Sequence, residues 1–127
     1  MSRKEHDGLT GCITVYPKEG THSATIIMLH GLGDSAEGFS DVADMWTKSF
    51  PYIKIILPTA VSRPVTLNGG MRMPAWYDIV GLDERAAEQC NGIDASCEMV
   101  TGLIKNEVDS GISPNRIILA GFSQGIN

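Results

Sequence analysis

Apolar residues fall in short dense runs separated by longer stretches where they recur every three or four positions. Ala24–Leu29 (ATIIML), Ile53–Leu57 (IKIIL, stopped by Pro58) and Ile117-Ile118-Leu119 are dense enough to be strands buried on both faces. The last follows the turn signal Gly111-Ile112-Ser113-Pro114-Asn115. Ile13–Tyr16 alternates and ends at Pro17, which predicts a short strand. Phe39, Val42, Ala43, Trp46 and Phe50 recur at helical spacing, with Ser35 or Asp34 as N-cap and Glu37 in the first turn. Ile93, Cys97, Val100, Leu103, Ile104 and Val108 predict a second helix that stops at Ser110-Gly111. Strands alternating with helices predict an α/β fold, a parallel sheet with helices on both faces. The stretch 60–81 carries Pro64, Pro74, Gly69 and Gly70 around Met71, Met73, Trp76 and Tyr77. It reads as a long loop packed over apolar surface, its large side chains either lining a pocket or filling core.

Composition narrows the classes. With 127 residues, 43% apolar and 20% charged, and no linker or repeat, the chain reads as one globular unit. A net charge of −5 with scattered Lys and Arg argues against nucleic acid as a partner. Cys12, Cys90 and Cys97 form neither an even disulfide set nor a C-x-x-C pair, so reduced thiols are expected. The opening residues are polar and no run approaches the length of a membrane span. The expectation is a soluble, cytoplasmic chain.

The candidate chemistry lies at two strand ends. Gly121-Phe122-Ser123-Gln124-Gly125 follows a predicted buried strand and fits a nucleophile elbow, where small flanking residues let a strand turn sharply into a helix and present a serine. Ser123 is then the nucleophile. In that arrangement the acid and histidine come later in the chain, yet only Ile126 and Asn127 follow Gly125, while His6, His22 and His30 all precede it. His30-Gly31-Leu32-Gly33-Asp34 joins a predicted strand to a predicted helix. Read alone, H-G-x-G is a tight turn. Paired with the elbow it reads as an oxyanion hole formed by the Leu32 and Gln124 N–H groups, each worth about 3 kcal/mol to the transition state. His30 itself reads as structural, its ring bonded to nearby backbone.

Taken together, His30–Asp34, Pro58-Thr59-Ala60, Arg63–Asn68, Met73–Asp78 and Asn115–Gly125 resemble the cytosolic acyl-protein thioesterases, a lysophospholipase/carboxylesterase-like family of α/β-hydrolases. The likeness runs from about Ile26 to Gly125, dividing the chain into a poorly matched segment 1–20 and a part 21–127 that corresponds to the amino-terminal portion of one α/β-hydrolase domain. The resemblance implies a serine hydrolase that removes palmitoyl groups from protein cysteine thioesters, with lysophospholipids or short esters as further substrates. It implies transient contact with membrane surfaces and no metal or cofactor. Carried over, Ser123 is the nucleophile, Leu32 and Gln124 supply the oxyanion N–H groups, and Leu67, Met71, Met73 and Trp76 are candidates to line the acyl channel.

The family's catalytic aspartate and histidine have no counterpart in 1–127. The expectation is therefore an α/β-hydrolase truncated after the elbow, inactive as it stands, with Ile117–Ala120 left as an exposed apolar edge. The alternative is a catalytically silent chain that binds acylated proteins or a full-length relative.

Overall fold

The computed structural model describes residues 4–17, 22–50, 52–77 and 92–121. Among the described residues, seven strands, β1 (Lys4–His6), β2 (Ile13–Val15), β3 (Ala24–Leu29), β4 (Ile53–Leu57), β5 (Ser62–Val65), β6 (Met71–Pro74) and β7 (Ile117–Gly121), accompany helices α1 (Ser40–Ser49) and α2 (Ile93–Asp109). Five strands form the main sheet in the order β1-β2-β4-β3-β7. The three dense apolar runs are its parallel part, with β3 paired to β4 on one side and to β7 on the other. The expected parallel sheet is thus extended by two antiparallel strands, β2 on β4 and β1 on β2. Both come from the segment 1–20. A turn as tight as 7–12 can link only antiparallel neighbours, since a parallel crossover needs a dozen residues or more.

Because side chains alternate across a strand, the sheet buries two separate layers. Met28, Ile55 and Leu57, with Ile13 and Val15, meet Ala36, Phe39, Ala43 and Trp46 on the α1 side. Ile27, Leu29 and Ile56 meet Ile93, Met99, Val100, Leu103 and Ile104 on the α2 side. Helices therefore cover both faces, as the alternation predicts.

The helix termini are held differently from the expectation at one end and as expected at the other. A 3-10 turn, Ala36–Phe39, precedes α1, and neither Ser35 nor Asp34 caps it through its side chain. Asp34 Oδ1 instead accepts from the N–H of Ser35. The orphan N–H of Ala36 donates to Thr59 Oγ1 at 2.9 Å, and that hydroxyl donates onward to Gly11 O at 2.7 Å. One threonine after β4 thus caps a helix and ties down the β1–β2 connection. Phe50, predicted on the inner face, lies past the end of α1 and is exposed. At the end of α2 the stop at Ser110-Gly111 is a Schellman motif. Gly111, at φ 106, donates to Val108 O, and Ile112 N–H reaches Glu107 O.

Glu107 is a buried charge on the inner face of α2. Its carboxylate accepts from Lys54 Nζ (2.8 Å) on β4, Thr25 Oγ1 (2.5 Å) on β3 and His22 Nε2 (3.2 Å). Burial alone would raise this carboxyl, but the Lys54 and Thr25 hydrogen bonds, with electrostatic attraction to Lys54 and His22, hold it below its ordinary value. The network straps α2 to the two central strands.

Candidate active site

In a parallel sheet the strands' carboxyl ends point the same way, and ligands bind in the crevice there. Leu29, the last residue of β3, pairs with Gly121, the last of β7. His30 leaves the first strand at that level, and Phe122 and Ser123 follow the second. Ser123 and Gln124 lie outside the described residues, so the site is described from its other half.

That half is the turn 30–34. Gly31 O accepts from the Asp34 N–H at 3.2 Å, closing a β-turn whose third residue, Gly33, sits at φ 77. Positive φ at that position is what a type II turn requires and what glycine provides without strain. The N–H of a turn's second residue has no partner within the turn. Here that residue is Leu32, half-buried, and its N–H meets no acceptor among the described residues. A donor of this kind at a strand-to-helix junction is free to bind developing negative charge.

The ring of His30 is buried and bonded to backbone at both nitrogens. Ala60 N–H donates to Nε2 at 2.9 Å, and Nδ1 lies 2.7 Å from Gly31 O. Burial pushes the imidazole below its ordinary value, the Gly31 contact and Asp34 opposing it. The structural reading of His30 is what the geometry displays. The other histidines are engaged elsewhere, His6 beside Glu37 at 3.5 Å and His22 on Glu107.

The stretch expected to be a long loop is instead largely a hairpin. β5 and β6 pair antiparallel with Val65 opposite Met71, joined through a 3-10 turn at Thr66–Asn68 and the positive-φ pair Gly69 and Gly70. Of the acyl-channel candidates, Leu67 and Met71 are exposed near its tip, at 40% and 65%. Met73 is half-buried, and a β-carbon on Gly33 would lie 3.5 Å from its sulfur. The hairpin therefore reaches the Leu32 turn, and Gly33 N–H donates to Pro74 O at 3.0 Å. Trp76 sits in the α2-side core, its Nε1–H donating to His30 O at 2.8 Å and its ring 4.8 Å from the imidazole. Ser96 on α2 donates to Trp76 O at 2.5 Å.

Sequence reasoning missed the Thr59 contacts, the Trp76–His30 pair and Glu107. Only the last left a signal, since position 107 is in phase with Ile93, Val100 and Leu103. At the same end of the sheet, towards its β1–β2 edge, Cys12 lines a cleft with Glu5, His6, Asp7 and Thr14, and burial together with Asp7 pushes its thiol up, disfavouring the nucleophilic thiolate.

The phospholipase/carboxylesterase family profile matches residues 10–126. Acyl-protein thioesterase 1 of Cryptococcus neoformans is 52% identical over 118 residues, covering 89% of this chain and 48% of that protein. Acyl-protein thioesterase 1 of Schizosaccharomyces pombe is 50% identical over 104 residues, covering 82% and 46%. The crystal structure of Zea mays acyl-protein thioesterase 2 superposes with a TM-score of 0.69 at 42% identity, covering 90% of this chain and 46% of that one. The chain spans about half the length of the relatives it matches.

Proposed function

The chain belongs to the phospholipase/carboxylesterase family of serine hydrolases, and on that premise we propose that it carries the nucleophile and oxyanion portion of an acyl-protein thioesterase. The observation that bears most weight is the register of Leu29 with Gly121. Neighbouring strands lie about 4.8 Å apart, and two further residues reach at most about 7 Å, which leaves Ser123 within reach of the Leu32 turn.

The reaction follows from those groups. A base removes the Ser123 proton as Oγ attacks the thioester carbonyl of a palmitoyl-cysteine. The carbonyl oxygen becomes an oxyanion held by the Leu32 and Gln124 N–H groups. Collapse expels the cysteine thiolate, which takes the proton, and leaves an acyl-serine that water hydrolyses to the free fatty acid. Lysophospholipids and short esters are substrates of the same chemistry. Met73, beside Gly33, sits where an acyl chain would enter, and exposed Leu67 and Met71 suit brief contact with a cytoplasmic membrane surface.

No histidine of the chain is available as the base, since His30 is bonded to backbone at both ring nitrogens, His6 lies beside Glu37 and His22 on Glu107, so on this reading the base and its aspartate come from outside 1–127 and the segment alone is inactive. The test is hydrolysis of a palmitoyl-cysteine peptide by this segment alone and by the segment joined to the second half of the Cryptococcus relative. The joined protein is expected to turn over with dependence on Ser123, while Ser123-dependent turnover by the segment alone overturns the inactivity. A second reading, a silent chain that associates with acylated proteins or a full-length relative, is favoured by the exposed Ile118 and Leu119 of β7. Binding of an acylated peptide without hydrolysis by the joined protein supports it.

A further inference from the structure

We propose that His30 is a positioning residue that aims the Leu32 N–H, and that Trp76 links this aim to the β5–β6 hairpin. The proposal rests on the reading of Leu32 as an oxyanion donor. The carbonyl of Gly31 and the N–H of Leu32 belong to the same planar, trans unit, in which C=O and N–H point in opposite directions. Whatever holds Gly31 O therefore fixes where Leu32 N–H points.

Two donors hold it, His30 Nδ1 at 2.7 Å and the Asp34 N–H at 3.2 Å. The chemistry of the partners dictates the tautomer. Gly31 O only accepts, so Nδ1 carries the proton. The Ala60 N–H only donates, so Nε2 is bare. A neutral Nδ1–H imidazole satisfies both, whereas the cation would set an Nε2–H against the Ala60 N–H. The ring thereby braces the Gly31–Leu32 peptide against the segment that follows β4.

The hairpin enters on both sides of that peptide. Before it, the Trp76 indole N–H donates to His30 O while its ring packs on the imidazole. After it, Gly33 N–H donates to Pro74 O. Trp76 is in turn held by Ser96 of α2. Among the described residues Leu32 N–H is thus an untethered donor, while His30 O, Gly31 O and Gly33 N–H around it are held through the hairpin segment or His30. A change in the hairpin as it takes up an acyl chain reaches the oxyanion donor through Trp76 and Pro74.

The test uses the whole chain labelled with 15N, alone and joined to the second half of the Cryptococcus relative. At pH 7 the His30 ring is expected to give the signals of a neutral Nδ1–H tautomer. An Nε2–H tautomer or a cation overturns the proposal without any variant being made. In Trp76→Phe, which keeps an aromatic ring and removes the donor, the Leu32 amide signal is expected to shift and Gly33 N–H to exchange about fivefold to tenfold faster. In His30→Asn the joined enzyme is expected to lose about tenfold or more in kcat with KM little changed, the pattern of a misaimed transition-state donor. Leu32 and Gly33 amides indifferent to Trp76→Phe in an otherwise native spectrum overturn it, as does a loss confined to KM. Absence of esterase activity together with responsive amides leaves the bracing intact and sinks the thioesterase reading instead.

Discussion

Ile27 and Leu119 sit opposite each other in register on β3 and β7, with the same apolar character, yet Ile27 is fully buried and Leu119 is 51% exposed. Their neighbours repeat the contrast, since Ile26 packs against the α1-side core while its partner Ile118 is 57% exposed. β3 has strands on both sides and a helix over each face. β7 has one strand neighbour among the described residues. Burial of an apolar side chain is set by what surrounds the strand, and the run Ile117-Ile118-Leu119 is as hydrophobic as a central strand because its composition suits a setting with cover on both faces.

The comparison can be broken by paired substitutions. Ile27→Ala removes buried methyl groups from the α2-side core and is expected to destabilise by about 3 kcal/mol. Leu119→Ala, directly across the ladder, should fall within about 1 kcal/mol. Urea unfolding of the two variants decides it, and equal losses would mean that Leu119 is covered. Next in size is Lys54→Met, which leaves the Glu107 carboxylate with weaker partners and should lower the unfolding free energy by about 2 kcal/mol at neutral pH. If the strap between α2 and the sheet is immaterial, that variant melts like the parent.

Titration sharpens the contrast between the built and the open side of the sheet, because His30 and Glu107, two shifted groups of the built side, lose stability towards acid. His30 has a depressed value, so the folded state prefers the neutral ring. Its contribution is complete above about pH 6.5 and falls away as pH drops from there through the lowered folded-state value. Glu107 is also depressed, so its contribution is complete above about 4.5 and is lost as pH falls through its folded-state value. Stability against pH should decline in two stages, and Glu107→Gln should flatten only the lower one. The smallest expected effect is Thr59→Val, about 1 kcal/mol from the lost cap on Ala36 and tether to Gly11, seen as a small drop in melting temperature.

Much of this was legible before any coordinates. β3 and β4 announce themselves as dense apolar runs, both helices through periodicity, and the H-G-x-G turn through its place between a dense run and a helix. The β5–β6 hairpin does not, because Pro64 and Pro74 sit within its strands and its four-residue strands are largely exposed, with Ser62 and Arg72 at the surface and Val65 alone buried among them. Glu107 hides because a charge on a buried helical face is readable only once Lys54 and Thr25 are known to stand opposite it. The Thr59 cap comes from a residue more than twenty positions away, beyond the reach of local capping rules. The Trp76–His30 contact likewise joins residues 46 positions apart.

The central claim is that the Leu32 turn and Ser123 are two parts of one thioesterase site. Its most direct test is palmitoyl-cysteine hydrolysis by this segment joined to the second half of the Cryptococcus relative, compared with Ser123→Ala. The account predicts turnover that disappears with Ser123, and turnover that survives Ser123→Ala, or a folded joined protein without turnover, would contradict it.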